Sequence, residues 1–356
     1  MAHPRGFTIF ARAWTASPPR RTNMHSIASL PTAEDEESIV SSSSSDGTHT
    51  PSSLSSSSST TTISTTSAPS SDIARTKLAT RAKVDFSLLE YVFAQGSVVE
   101  APSSSPLWYI LTTALLLAFH KEKLIEELWT YLSTRYAVCS QEKETADLLA
   151  VARRIREACL KASTLVGFPR AINALLALQH AIQTTHPNLS SILEADQSLR
   201  SAASTTPTDA EAKSARGMAL FQKIYAQHSP RVLTAMSACS GGDLTFFAIN
   251  CIYGELLAEN SIIGDLETGL LEFICCLADG CAPQAKGHFF GSVNLGAGKD
   301  TLRAAVRLAD EVARQVRVGR PWKDGIGEGE GEGEGEGRQE DSSWDEWKFL
   351  ERAMAE

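Results

Sequence analysis

One stretch of this sequence sets a thiol, an ammonium and an imidazole close together: Gly280-Cys281-Ala282-Pro283-Gln284-Ala285-Lys286-Gly287-His288. Pro283 marks the first turn of a helix, where a missing N–H costs nothing. Cys281 then lies just ahead of the helix N-terminus. Backbone N–H groups and the helix dipole favour a thiolate there and predict a lowered cysteine pKa. His288 follows seven residues later, about two turns on, and so projects from the same side. A cysteine and a histidine on one face are the parts of a nucleophile–base pair. Seven residues of helix span about 10.5 Å, so a bend, a water or another side chain must relay the proton. The alternative is structural: Cys281 as a packed thiol, His288 as a cap or interface histidine, and Lys286 in solvent.

The elements that must position these residues read as helices nearly throughout. Apolar spacing predicts helices over 86–95, 106–119, 121–134, 142–164, 169–184, 209–227, 229–239, 243–259, 263–279, 283–295 and 300–316, with a polar break from His186 to Asp209. Gly167, Gly280 and Gly296-Ala297-Gly298 read as stops, Pro169 and Pro283 as starts, and Asp300 and Thr301 as caps. Alternation of the strand type is missing. The fold class predicted is all-α, with a last short amphipathic helix at 342–355 carrying Trp344, Trp347, Phe349, Leu350 and Met354. Ser342 or Ser343 can cap it. Such a tethered helix docks on its own core or in a partner's groove, and the tether favours the former.

Composition sets the outer limits. Of the 356 residues, 40–72 are almost entirely Ser and Thr, and 325–337 alternate Gly and Glu. Neither tract has the apolar area to offset the entropy of ordering. The organisation read from this is a Ser/Thr-rich leader (1–81), two helical units (82–200 and 201–321), an acidic linker (322–341) and a short helix (342–356). The net charge of −9 and the lack of a basic helix face argue against nucleic acid. The apolar run Leu107–Phe119 is too short to span a bilayer. Cys139, Cys159, Cys239, Cys251, Cys275, Cys276 and Cys281 number seven, an odd count, mostly in apolar helices. They read as reduced thiols of an intracellular protein. No zinc spacing and no phosphate loop are present, so no metal and no cofactor is expected.

The leader has no Asp or Glu from Met1 to Thr32, and Arg5, Arg12, Arg20 and Arg21 alternate with Phe7, Ile9, Phe10 and Trp14. That is transit-peptide character, equally a basic tail. The expected location is mitochondrial, with cytoplasmic and peroxisomal as alternatives. The terminal Ala353-Met354-Ala355-Glu356 is not an S-K-L-type signal.

The apolar helix 263–279, the Cys281 turn, Lys286-Gly287-His288 and the Gly296-Ala297-Gly298 stop resemble the carboxymuconolactone decarboxylase/alkylhydroperoxidase D family. Leu165-Val166-Gly167-Phe168-Pro169-Arg170-Ala171-Ile172-Asn173-Ala174-Leu175 is similar to the Gly-aromatic-Pro segment of such domains. The layout over residues 84–318 is most like divergent fungal members with two fused, degenerate helical units. The resemblance implies an all-α bundle that self-associates as a homo-oligomer, a small-molecule substrate, and peroxidase-type oxidoreductase chemistry. In that branch the site is Cys-x-x-Cys with a histidine four residues after the second Cys and an upstream Glu. Cys281 then takes the first Cys position and His288 the histidine. Gln284 stands where the second Cys belongs, and the Glu falls at Gly269, flanked by Glu267 and Glu272, neither in register. An oxidised Cys281 then needs another thiol, either an external one or Cys275 or Cys276, whose alternative reading is buried core packing. His120 and Glu126 or Glu127 are either relics of an equivalent site in the first unit or plain surface residues, and their spacing does not distinguish the two. The competing implication is a non-catalytic scaffold that keeps the fold for oligomerisation or partner binding.

Overall fold

The structure, a computed structural model, describes residues 84–96, 106–136, 141–200, 207–323 and 344–354. The Ser/Thr-rich leader, most of the acidic linker, Cys139 and the capping serines Ser342 and Ser343 lie outside the described residues. Among those described there is no strand, and all fall in one compact unit.

The helix order is α1 (Phe86–Gly96), α2 (Leu107–Ala118), α3 (Ile125–Arg135), α4 (Gln141–Val166), α5 (Phe168–Thr185), α6 (Pro187–Glu194), α7 (Pro207–Tyr225), α8 (Ser229–Ser240), α9 (Asp243–Phe247), α10 (Asp265–Ala278), α11 (Ala282–Asn294), α12 (Lys299–Val316) and α13 (Glu351–Met354). All 12 residues of α2 are buried. It forms the axis of the bundle, with α4, α10 and α12 packed around it. Its two hydroxyls need no outside partner: Thr112 and Thr113 donate to the carbonyls of Trp108 and Tyr109, each at 2.8 Å. α12 carries Leu302, Val306, Leu308, Ala309 and Val312 inward and closes the core against α1 and α2. A second, smaller apolar cluster joins Leu220, Phe221 and Ile224 of α7 to Val232, Met236, Ile249, Tyr253 and Leu257.

Four local differences from the sequence reading have physical causes. The polar break holds α6, whose Pro187 fits a first turn and whose Leu189 and Leu193 are buried. The 243–259 helix changes at Ala248 into a π-helix that runs to Leu257. The last segment is a 3₁₀ stretch, Trp344–Leu350, before the single turn of α13. Finally, α12 is capped at Gly298 without a side-chain bond, so Asp300 and Thr301 are inside the helix; Asp300 instead pairs with Arg303 at 2.9 Å.

Candidate functional site

α10 and α11 form an antiparallel hairpin, and its turn is a Schellman motif. The N–H of Cys281 bonds the carbonyl of Cys276 at 3.0 Å, and that of Gly280 bonds Leu277 at 3.2 Å. Gly280 occupies the left-handed position at φ 76°, where a side chain would be strained. Farther along, Gly269 sets how closely the two helices approach. A Cβ there would lie 2.5 Å from the Leu295 methyl and 3.5 Å from the Ser292 hydroxyl. Position 269 therefore faces Ser292 and has no room for a carboxylate. One helical step on, Glu272 faces His288.

That pair is the centre of the site. Glu272 is 1% exposed and His288 6%. Glu272 Oε2 lies 3.7 Å from His288 Nδ1, and neither atom has a hydrogen-bond partner. Burial raises the Glu272 pKa to about 8, with the charge of Lys161 pulling part of the way back. Burial lowers His288 to about 4. At neutral pH the contact is thus between an uncharged carboxyl and an uncharged imidazole, not an ion pair. The resemblance puts the acid at position 269, which sits against Ser292; the carboxyl that meets His288 is that of Glu272. Glu267 is half-buried in the first turn of α10. Five residues separate it from Glu272, a rotation of roughly 140° that turns it away from the pair.

Tyrosines and a lysine complete the surroundings. The ring of Tyr225 lies 6.0 Å from that of His288, and its hydroxyl is 3.3 Å from the Tyr253 hydroxyl. Burial raises both phenols, and a charge on Glu272 would raise them further, so both stay protonated. Tyr253 arrives on the π-helix, a geometry frequent at functional sites. Lys161 of α4 has no exposed surface. Its ammonium donates to the carbonyls of Leu257 (2.9 Å), Glu259 (2.8 Å) and Ile263 (3.1 Å) and to the Thr268 hydroxyl (2.8 Å). It thereby ties the end of the π-helix to the first turns of α10. Glu157 stands 4.0 Å from Lys161 and is held by Arg200 at 2.5 Å. Burial lowers the Lys161 pKa to about 8. The sequence reading missed Lys161, Tyr225 and Tyr253. The available signal for Lys161 was a charged residue among Ala158, Cys159 and Ala162, all buried on one face.

Cys281 does not have the expected electrostatics. Its thiol donates to Asp279 Oδ2 at 3.2 Å. Partial burial and this acidic partner push its pKa up to about 11. The helix dipole is outweighed, because a carboxylate two residues away stabilises the thiol over the thiolate. Gln284 is exposed, Lys286 half-buried, and Cys275 and Cys276 are buried. His120 shares an open cleft of about 390 Å³ with Asp279 and Arg320 at the ends of α2 and α10. Glu126 and Glu127 begin α3 and are not among the residues that line this cleft. Among the described residues no three His, Cys, Asp or Glu side chains converge as metal ligands, and no helix is long and apolar enough to cross a membrane.

The tail segment packs on the same hairpin. Trp347, Phe349, Leu350 and Ala353 are buried. Phe349 meets Phe289 at 5.3 Å, and Phe289 meets Phe273 at 5.5 Å. Arg352 lies over Phe290 and Arg303 donates to the Ala353 carbonyl at 3.0 Å. Docking on the chain's own core, the alternative that the tether favours, is the one observed.

No family model and no solved structure matches the chain. Two curated proteins are. Over 269 residues the chain is 25% identical to Peroxisomal protein 2 of Saccharomyces cerevisiae, covering 63% of this chain and 93% of that protein. Over 162 residues it is 33% identical to Peroxisomal protein 2 of Schizosaccharomyces pombe, covering 46% of this chain and 70% of the relative. On that extent of shared sequence, the chain belongs to the peroxisomal protein 2 family.

Proposed function

We propose that this chain is a peroxisomal, alkylhydroperoxidase D-like helical protein whose chemistry is proton transfer at Glu272 and His288. The observation that carries the reading is the unpartnered contact between two uncharged, buried groups, Glu272 Oε2 and His288 Nδ1, at 3.7 Å. Leaving such atoms unpaired costs about 1–3 kcal/mol each, a cost that clusters at functional sites. A neutral carboxyl is an acid and a neutral imidazole a base. Together they can deliver a proton to one atom of a small uncharged substrate and take one from another. A desolvated pair suits an uncharged reacting group, since a charged one would itself have to be desolvated.

The alkylhydroperoxidase D-like assignment is supported by two hairpins of similar construction. α4 and α5 join through Gly167, at φ 103°, with Pro169 in the first turn of the second helix. α10 and α11 join through Gly280 with Pro283 in the same role. The peroxidase version led by Cys281 is opposed by Asp279, which keeps the thiol protonated. The names of both relatives favour the peroxisomal alternative over the mitochondrial one. Fractionation of cells, or a fluorescent fusion, tests this; signal in mitochondria overturns it.

Assays of the purified chain with small hydroperoxides, lactones and oxo acids test the chemistry. Turnover that is lost in Glu272→Gln and His288→Gln but kept in Cys281→Ser is expected. Turnover indifferent to the first two changes overturns the proposal. A second reading, a homo-oligomeric scaffold, is favoured by exposed apolar side chains. Phe168, Ile172 and Leu176 recur every four residues on α5, and Leu244, Phe246 and Phe247 cluster on α9. Sedimentation of the full chain reads that assembly directly.

A further inference from the structure

We propose that Cys276 and Cys281 form a reversible intrachain disulfide across the C-terminal turn of α10. The proposal holds whether or not Glu272 and His288 catalyse a reaction. In a Schellman motif a side-chain contact between the third residue from the helix end and the second residue beyond it is frequent. Here those residues are Cys276 and Cys281, fixed by the bonds from Cys281 N to Cys276 O (3.0 Å) and from Gly280 N to Leu277 O (3.2 Å). One backbone hydrogen bond between the two residues keeps their Cα atoms within about 7 Å of each other. The bridging range for a disulfide extends to about 6.8 Å. Burial above all, and then charge on Cys275, Glu272 and Cys281, make Cys276 the harder of the two to ionise.

Access is asymmetric, as an attacking and a resolving thiol require. Cys281 is half-buried and bonded to Asp279. Asp279 is among the residues that line the open cleft with His120 and Arg320. Cys276 is buried and lies one turn from Glu272, so it meets only a partner already attached to Cys281. The oxidant proposed is a low-molecular disulfide such as oxidised glutathione. The Cys281 thiolate attacks one of its sulfurs, and the first glutathione leaves as thiolate and takes up a proton. Cys276 then gives up its proton and attacks the Cys281 sulfur, and the second glutathione leaves as thiol. Two protein thiols are oxidised, one external disulfide is reduced, and an external dithiol reverses the reaction.

The test is oxidation of the full chain with oxidised glutathione, followed by proteolysis and mass mapping. A Cys276–Cys281 crosslink that dithiothreitol removes is expected. Its rate should rise about tenfold per pH unit between pH 7 and 9, because the thiolate fraction does so well below the thiol pKa. Cys276→Ala should stop at the Cys281–glutathione adduct, and Cys276→Ser serves where alanine impairs folding. A wild-type Cys281 that stays glutathionylated beside a free Cys276, or that crosslinks to another cysteine, overturns the proposal.

Discussion

Replacing Glu272 by glutamine removes the titrating group while keeping its shape, and the effect on stability has a calculable pH dependence. In the folded chain the carboxyl titrates at about 8, against 4.5 for an ordinary glutamate. A raised folded pKa means that the stabilisation is complete below pH 4.5 and is lost as pH rises towards 8. Each pH unit in that window is worth about 1.4 kcal/mol. His288 acts in the opposite sense: its folded pKa is depressed to about 4, so its contribution is present above 6.5 and lost below. Between pH 4.5 and 6.5 the two slopes cancel in the wild type. Above 6.5 only the glutamate slope remains. The difference between Glu272→Gln and wild type isolates the Glu272 term. Measured by urea denaturation, it should move in favour of the variant by about 3 kcal/mol between pH 5.5 and pH 8. A difference that stays flat over this range refutes the reasoning, because the carboxyl would then titrate alike in folded and unfolded chains.

Other expected outcomes follow from neighbouring groups. Lys161→Met leaves the carbonyls of Leu257, Glu259 and Ile263 without their buried donor, while Arg200 still holds Glu157, so urea denaturation should show a loss of about 3–5 kcal/mol; a loss under 1 kcal/mol contradicts the buried clamp. Asp279→Asn removes the carboxylate that keeps the Cys281 thiol protonated. Alkylation of Cys281 by iodoacetamide at pH 7.5, followed by mass spectrometry, should accelerate by about three- to tenfold; a slower reaction would instead make Asp279 a general base. Phe349→Ala empties the contact with Phe289, and should release the tail to limited proteolysis in the acidic tether while the core melts near its original temperature. Unchanged protease resistance would count against that docking.

Much of the fold is legible in the residues because helical spacing is local. α12 reads from its apolar stripe, and α5 and α11 from Pro169 and Pro283, each just inside the helix start. The π-helix is not legible: it depends on how α7 packs against 248–257, and no residue in the segment signals an extra residue per turn. α6 hides in a polar stretch because only Leu189 and Leu193 anchor it. The site divides along the same line. His288 is legible from its spacing to Cys281, whereas counting along the chain puts its acid at 269. Which residue meets His288 is settled by the approach of two helices at Gly269, a tertiary fact. Glu272 carried its own signal, a lone carboxylate between Leu270, Leu271, Phe273 and Ile274, all buried. The Cys281 pKa runs opposite to the dipole because burial and Asp279, two residues upstream, outweigh it.

The protonation state of Glu272 at neutral pH tests the proton-transfer centre most directly. Infrared difference spectroscopy of the full chain, with Glu272→Gln as the reference, reads it. A protonated-carboxyl stretch at pH 7 that vanishes in the variant and fades as pH rises through about 8 is the result predicted. A carboxylate signature already complete at pH 7 would contradict the account.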